Sequence, residues 1–202
     1  MPIFSNVLLC LTLAVLSLVG LRPDRIGLAT APQYTSGGQL VLPERYREWT
    51  FVTSGFDMSY VANTNMGDQH TFDNVFVNPS SYAWFQRTGT WPDKTMLVLE
   101  HRNGHSKGSI NKAGAFQADL SDIEVHVKDE ARFPGKWAFF AFGTDGKPGT
   151  MIPMGASCYQ CHSSHAAVDT TFVQFYPTLL PVAKANGTLG ESYRQEAQAT
   201  QP

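Results

Sequence analysis

The stretch Ile123-Glu124-Val125-His126-Val127-Lys128 alternates strictly between apolar and polar side chains. This period of two is the pattern of a β-strand with one buried face. After a turn predicted at Phe133-Pro134-Gly135, the residues from Trp137 to Phe142 are almost all bulky and apolar, as in a central strand. Strands joined by so short a connection run antiparallel, so this region predicts an antiparallel sheet.

Shorter patterns elsewhere predict further strands and several helices. Apolar and β-branched segments predict strands at residues 49–53, 74–77, 95–101 and 116–118. Helical spacing and helix-start signals predict helices at residues 44–47, 79–87, 158–167 and 177–186. Most strands precede most helices, which predicts an α+β fold, a mainly antiparallel β-sheet with flanking helices.

The N-terminal segment, residues 1–31, is predicted to be a signal peptide or an uncleaved N-terminal anchor. Its apolar run from Val7 to Leu21 carries no charge and is short for a membrane span. Ala29-Thr30-Ala31 offers a cleavage pattern of small residues. Both alternatives predict a periplasmic or otherwise exported protein. We expect residues 32–39 to be a flexible leader and residues 32–202 to form a single domain.

The composition is that of a globular protein. The chain is 43% hydrophobic and 16% charged, with a formal net charge of −2. No long run of Lys and Arg occurs, and nucleic-acid binding depends on such clusters. We therefore expect no nucleic-acid partner.

The chemistry is predicted to lie in the C-x-x-C-H motif Cys158-Tyr159-Gln160-Cys161-His162. A disulfide across two intervening residues would close almost no loop and would stabilise little. C-x-x-C-H is instead the attachment signature of haem c. Thiols three residues apart lie about one helical turn apart and can both form thioethers with the vinyl groups of one haem. His162 is then placed to bind the iron as a metal ligand.

Two other uses of these residues stay open at this point. A C-x-x-C pair serves as a redox dithiol in thioredoxin-like proteins, where it lies near a βαβ pattern. Zinc could use both thiols together with His162 and His165, although zinc sites usually draw ligand pairs from separated segments. The C-x-x-C-H motif follows a predicted antiparallel sheet and lies near the C-terminus. This position favours haem attachment over a redox dithiol and over a zinc site.

The second axial position of the iron is predicted to be open. Small electron-transfer cytochromes place an axial Met after the haem motif, and no Met follows His162. Met151 and Met154 lie upstream, and five other His residues occur at 70, 101, 105, 126 and 165 without a privileged position. An open site predicts ligand binding or redox chemistry on a small molecule. A six-coordinate electron carrier is the alternative.

Several stretches, in order along the chain, resemble cytochrome P-460 and its relatives, the cytochromes c′-β. They run from about residue 40 to residue 185, nearly the whole predicted domain. The matching residues are Leu42-Pro43 with Tyr46-Arg47 and Trp49, residues 77–82 (VNPSSY), residues 127–133 (VKDEARF), residues 137–140 (WAFF), and Cys158-x-x-Cys161-His162 followed by Asp169 and Phe175-Tyr176-Pro177.

The resemblance implies a mainly antiparallel fold, often a homodimer, with a five-coordinate haem bound by His162. Members that oxidise hydroxylamine carry a Lys bonded to the porphyrin edge, and that position falls on Leu99. Leucine cannot form this bond, so the resemblance favours the c′-β type, which lacks it and binds small gases such as nitric oxide. Oxidation of hydroxylamine is the enzymatic alternative, and a redox partner protein is a further expectation.

The resemblance also implies a distal carboxylate, which falls on Glu124 as a catalytic residue. Alternation places Glu124 and His126 on one face of their strand. If Glu124 faces the haem, burial would raise its pKa and let it exchange protons near a bound ligand. A solvated strand face would give the same pattern. Leu97 and Leu99 share a face and could form an apolar cap that favours neutral diatomic ligands.

Overall fold

The computed structural model describes residues 31–62 and 64–199, which are built around one antiparallel sheet. Six strands follow each other in chain order and each pairs with the next: β1 (Thr50–Phe56), β2 (His70–Val77), β3 (Met96–His105), β4 (Phe116–Lys128), β5 (Trp137–Phe142) and β6 (Thr150–Met151). Four α-helices of these residues are α1 (Pro79–Thr88), α2 (Ser157–His165), α3 (Leu180–Asn186) and α4 (Glu191–Ala199). The predicted α+β fold is confirmed.

The N-terminal part of the described chain covers one face of the sheet. Leu40, Tyr46 and Trp49 pack on residues from the middle strands, with Leu40 fully buried. Leu40 also pairs with Tyr34 and with Gly149 through isolated β-bridges. The prediction of a flexible leader at residues 32–39 was therefore wrong, because Tyr34 of this segment packs against Phe133 and Phe140 of the core. Residues 1–30, which hold most of the predicted signal peptide or anchor, lie outside the described residues.

The opposite face of the sheet is covered by the helices and by the chain between α2 and α3. Phe85 of α1 and Ala183 of α3 belong to one buried cluster with Val77 and Leu97 of the sheet. Gly89 ends α1 with a φ of 68°, and a Cβ there would meet Thr188 Oγ1 at 2.8 Å. This position therefore favours glycine both for its backbone and for its space. The close approach lets α1 and α3 pack side by side.

Two details of the C-terminal part differ from the prediction. The helix expected at residues 177–186 begins at Leu180 and ends at Asn186, before Gly187 with a φ of 67°. A further helix, α4, follows and packs against α2, where His165 Nδ1 lies 3.1 Å from Glu196 Oε2. The described residues contain no helix long and apolar enough to cross a bilayer.

A buried hydrogen bond ties the chain after α2 to the segment before β3. The Trp91 indole N–H donates to Thr171 Oγ1 at 2.8 Å, and the Thr171 hydroxyl donates to the Val168 carbonyl at 2.8 Å. Both Trp91 and Thr171 are almost fully buried. Water cannot easily replace a partner that is lost at this place.

We expect Thr171→Val to lower the free energy of unfolding by about 1–3 kcal/mol, because the buried Trp91 N–H loses its acceptor, while the Val168 carbonyl keeps only the Thr171 backbone N–H. Urea unfolding of the two proteins measures the difference. Thr178→Val is the matched control at an exposed threonine, with an expected change within about 0.5 kcal/mol. Equal stability of Thr171→Val and wild type would contradict the proposed importance of this bond.

Candidate functional site

A cavity of about 630 Å³ lies between the helical face of the sheet and α2. Its volume is within the range of about 300–1,000 Å³ that is usual for ligand sites. All five residues that the sequence predicted for the site line this cavity: Leu99, Glu124, Cys158, Cys161 and His162. The fold thus brings two separate strands and one helix to a common space, while the roles of these residues stay predictions.

The register of the sheet sets the character of the cavity floor. One row across β2, β3 and β4 is polar and consists of Asp73, His101 and Asp122. The next rows become apolar at their centre, with Val75 paired to Leu99 and Val77 paired to Leu97. Glu124 and His126 continue these two rows on β4. The floor therefore changes from charged to apolar along β3, on the strand face that alternation predicted.

Helix α2 presents its motif to the cavity. Cys158, Cys161 and His162 all line the space, as expected for positions three and four residues apart on a helix. Tyr159 fixes the helix to β5: its hydroxyl donates to the Ile152 carbonyl and accepts the Phe139 N–H, both at 3.1 Å. Both thiols are free and partly buried. Two free thiols on one face are what thioether formation requires.

His162 is held in one tautomer. Its Nδ1 lies 2.7 Å from the Thr170 carbonyl, which can only accept, so Nδ1 carries the proton and Nε2 keeps its lone pair. Phe172 and Phe139 pack against the ring, with centroids 4.2 and 4.6 Å away. Burial lowers the pKa of His162. The neutral imidazole with a free Nε2 is the form that binds iron.

His126 packs against the ring of His162. The sequence did not predict this contact. His126 is 8% exposed, and its ring stacks on Phe139 with centroids 3.9 Å apart. Its Nε2 lies 3.2 Å from Thr170 Oγ1, so Thr170 contacts both histidines. Burial holds the pKa of His126 well below its ordinary value, which keeps the ring neutral. Alternation did place His126 on this face, but no local signal showed what it would contact.

Charged groups gather at the other end of the cavity. Burial raises the pKa of Glu124, while the nearby His101 acts in the opposite direction. The hydrogen bond to Asp73 raises the pKa of His101, with Nδ1 at 2.7 Å from Asp73 Oδ1. His101 and Asp73 were not predicted as site residues, because nothing in their local sequence indicates that they are neighbours.

Residues of the loop after β1 also line the cavity and were missed. Met58 and Tyr60 lie there, with the Tyr60 ring 6.3 Å from that of Phe172. A Cβ at Gly55 would meet Met58 Sδ at 2.5 Å, so the glycine makes room for the methionine. Met58 is thus the one Met of the described residues that lines this cavity, although the sequence offered no reason to single it out.

The two alternative uses of the cysteines find no support in this geometry. Among residues 31–62 and 64–199, no three Cys, His, Asp or Glu side chains form a group suited to a metal ion. His165, the fourth ligand of the zinc alternative, faces Glu196 of α4. The described sheet is antiparallel throughout, whereas a thioredoxin-like pair belongs beside a βαβ unit.

The residues of the cavity fit a covalently bound haem. Two free thiols and a neutral imidazole with an available Nε2 meet in one space. The wall opposite the motif is apolar at Val75, Leu97 and Leu99, as suits the face of a porphyrin. This donor set is the one that C-x-x-C-H supplies in c-type cytochromes.

Comparison with known proteins agrees with this fit. A family model, that of cytochrome P460, matches residues 43–173, which is well over half of the chain. The matched region runs from before β1 to the residues that follow the C-x-x-C-H motif, and it includes Leu99 and Glu124. A search of curated proteins finds no match.

Proposed function

The chain belongs to the cytochrome P460 family, and from that premise we propose that it is an exported protein with one iron position open to small nitrogen species, with nitric oxide as the best candidate. Members of the family are c-type haem proteins, so the protein carries one covalently attached haem c. The haem supplies a site for ligand binding and electron exchange. We assign the thioethers to Cys158 and Cys161 and the iron ligand to His162.

The observation that carries the proposal is the cavity itself, which lies beside His162 and is apolar at its centre. Val75, Leu97 and Leu99 offer no group that could bind iron. His101 lines the cavity, but Asp73 holds its Nδ1, and Asp122 Oδ1 lies 3.7 Å from its Nε2. Met58 also lines the cavity, and its thioether is a common axial ligand, so it is the competitor tested below.

Leu99 supports gas binding over oxidation of hydroxylamine. The side chain at this position lines the cavity and carries no amine, so a porphyrin–lysine bond at residue 99 is chemically excluded. An apolar wall favours a neutral diatomic ligand. Hydroxylamine oxidation without the cross-link is the second candidate, favoured by Glu124, whose raised pKa suits a group that accepts and returns protons.

We expect carbon monoxide and nitric oxide to bind the ferrous protein rapidly, because no side chain has to leave the iron first. The ferrous protein without ligand should show a five-coordinate, high-spin optical spectrum. Stopped-flow mixing measures the binding rate, which should rise in proportion to ligand concentration. Sharp low-spin bands, or a rate that saturates at the dissociation of an internal ligand, would overturn the open site.

The variant Met58→Leu distinguishes an open iron position from one that Met58 occupies. Its control is Met154→Leu, at an exposed methionine outside this cavity. An open site predicts the same ferrous spectrum for wild type and both variants. If Met58 were the second axial ligand, only Met58→Leu would turn a low-spin spectrum into a high-spin one.

Three wider expectations belong to this proposal. They are a homodimer, a redox partner protein, and export by the N-terminal segment. Light scattering of the purified protein measures the mass, which should be twice that of the chain. Fractionation of cells should place the protein outside the cytoplasm.

A further inference from the structure

The charged end of the cavity contains a cluster of ionisable side chains that the attachment of a haem does not require. Asp73 and His101 are directly paired on β2 and β3, and Asp122 is the partner of His101 on β4. Glu124 follows on the same face of β4, one diagonal step from His101. Asp73, His101 and Glu124 all line the cavity, whereas Asp122 does not line it and is half-exposed beside His101.

The hydrogen bond between His101 and Asp73 fixes the imidazole in this row. Nδ1 lies 2.7 Å from Asp73 Oδ1, and Nε2 lies 3.7 Å from Asp122 Oδ1. Both nitrogens therefore face carboxylates, which favours the imidazolium. Among the residues that the structure describes, His101 is the cationic group that acts on Glu124, and it favours the ionised carboxylate there.

The charges of this row do not balance. Three carboxylates, those of Asp73, Asp122 and Glu124, surround one imidazole. The other titratable side chains that line the cavity are Tyr60, His126, Cys158, Cys161, His162 and Tyr176. None of these brings a permanent positive charge. An anion that enters the cavity thus meets net negative charge in a partly desolvated space, where repulsion is stronger than in water.

We propose that the cluster of Glu124, His101 and Asp73 makes the cavity select neutral ligands, so that an anion binds only together with a proton taken up by Glu124. The proton comes from solvent and ends on a carboxylate oxygen of Glu124; no electron moves. His101 is a positioning residue, since its charge sets the pH at which Glu124 takes up the proton, and Asp73 keeps His101 charged. This inference rests on the proposed open site and names the class of its ligands.

The test compares an anion with a neutral ligand across pH. Thiocyanate is the anionic probe for the ferric protein, because it takes up no proton itself near neutral pH. Carbon monoxide is the neutral probe for the ferrous protein. For wild type we expect thiocyanate affinity to fall about tenfold for each pH unit above the pKa of Glu124, as one coupled proton requires. Carbon monoxide affinity should not change over the same range.

Single substitutions test which residue causes the pH dependence of thiocyanate affinity. Glu124→Gln should bind thiocyanate with the same affinity across the range. His101→Gln should move the start of the fall upward by about half to one pH unit, because Glu124 loses a neighbouring cation. The control is His70→Gln: His70 pairs with Asp57 at 2.6 Å in a similar way but does not line the cavity. This control should leave the profile unchanged.

A second measurement needs no anion. In the carbon monoxide complex of the ferrous protein, which is diamagnetic, NMR follows the titration of His101. We expect a pKa above the ordinary histidine value, and a lower one in Asp73→Asn. A purely structural hydrogen bond would alter stability without moving the thiocyanate profile.

Three results would overturn the inference: an equal pH slope in wild type and Glu124→Gln, no thiocyanate binding even at acid pH, or an ordinary His101 pKa that is insensitive to Asp73→Asn. Failure of the proposed function is recognised separately. In that case carbon monoxide would bind only after an internal ligand dissociates, whatever the pH.

Discussion

Replacing both Cys158 and Cys161 with alanine is expected to abolish covalent retention of haem. Each thiol adds to one vinyl group, so no other bond in the proposed site would hold the haem to the chain under acid. Extraction with acidified acetone measures the effect: wild type keeps its haem on the polypeptide, and the double variant releases all of it. Each single variant keeps one thioether and should retain haem with an altered spectrum.

Ser163→Ala is the matched control, since Ser163 lies on the same helix and is exposed. It should retain haem as wild type does. Haem that extracts freely from the wild-type protein would contradict the assignment of the two thioethers. Haem retained by the double variant would point to an attachment elsewhere in the chain.

Leu99→Lys is expected to destabilise the protein or to change its spectrum, because it brings an ammonium group to the apolar centre of the cavity. Leaving a charge in such a place costs on the order of several kcal/mol unless the group loses its proton or reacts. Thermal unfolding and the optical spectrum measure the two effects. Mass spectrometry of haem peptides shows whether the new lysine becomes attached to the porphyrin.

The comparison protein is Asn103→Lys, which places the same charge on β3 at an exposed position outside the cavity. It should leave stability and spectrum nearly unchanged. In wild type, haem peptides should contain only residues around the C-x-x-C-H motif. A second attached peptide in wild type, or a Leu99→Lys protein identical to wild type in spectrum, ligand binding and stability, would remove Leu99 from the haem site.

The sheet was predictable because its strongest signals are local. Alternation along β4 and the apolar run of β5 follow from the two-residue period of a strand, which needs no knowledge of distant residues. Element boundaries were less accurate: β3 continues to His105, beyond the predicted end at residue 101, and the strands predicted at residues 116–118 and 123–128 are parts of one strand, β4. The prediction of a flexible leader at residues 32–39 was wrong because Tyr34 of this segment packs against Phe133 and Phe140, which are distant in the sequence.

The motif of the site was also predictable from sequence. Cys158, Cys161 and His162 lie within five consecutive residues, and a single helical turn brings them to one face whatever the rest of the chain does. Family resemblance added Leu99 and Glu124, which share no local pattern with the motif. Leu99 and Glu124 line the same cavity because β3 pairs with β4 in a register that places them opposite each other.

Only the tertiary structure decided which further side chains face that motif. His101 meets Asp73 across 28 positions of the sequence, and His126 meets Thr170 across 44. Such contacts depend on strand register, and a slip of one residue would turn Leu99, His101 and Glu124 to the other face of the sheet. The sequence by itself therefore determined the haem chemistry, which is local, whereas the charge of the cavity, on which the proposed ligand preference rests, was decided by the register of the folded sheet.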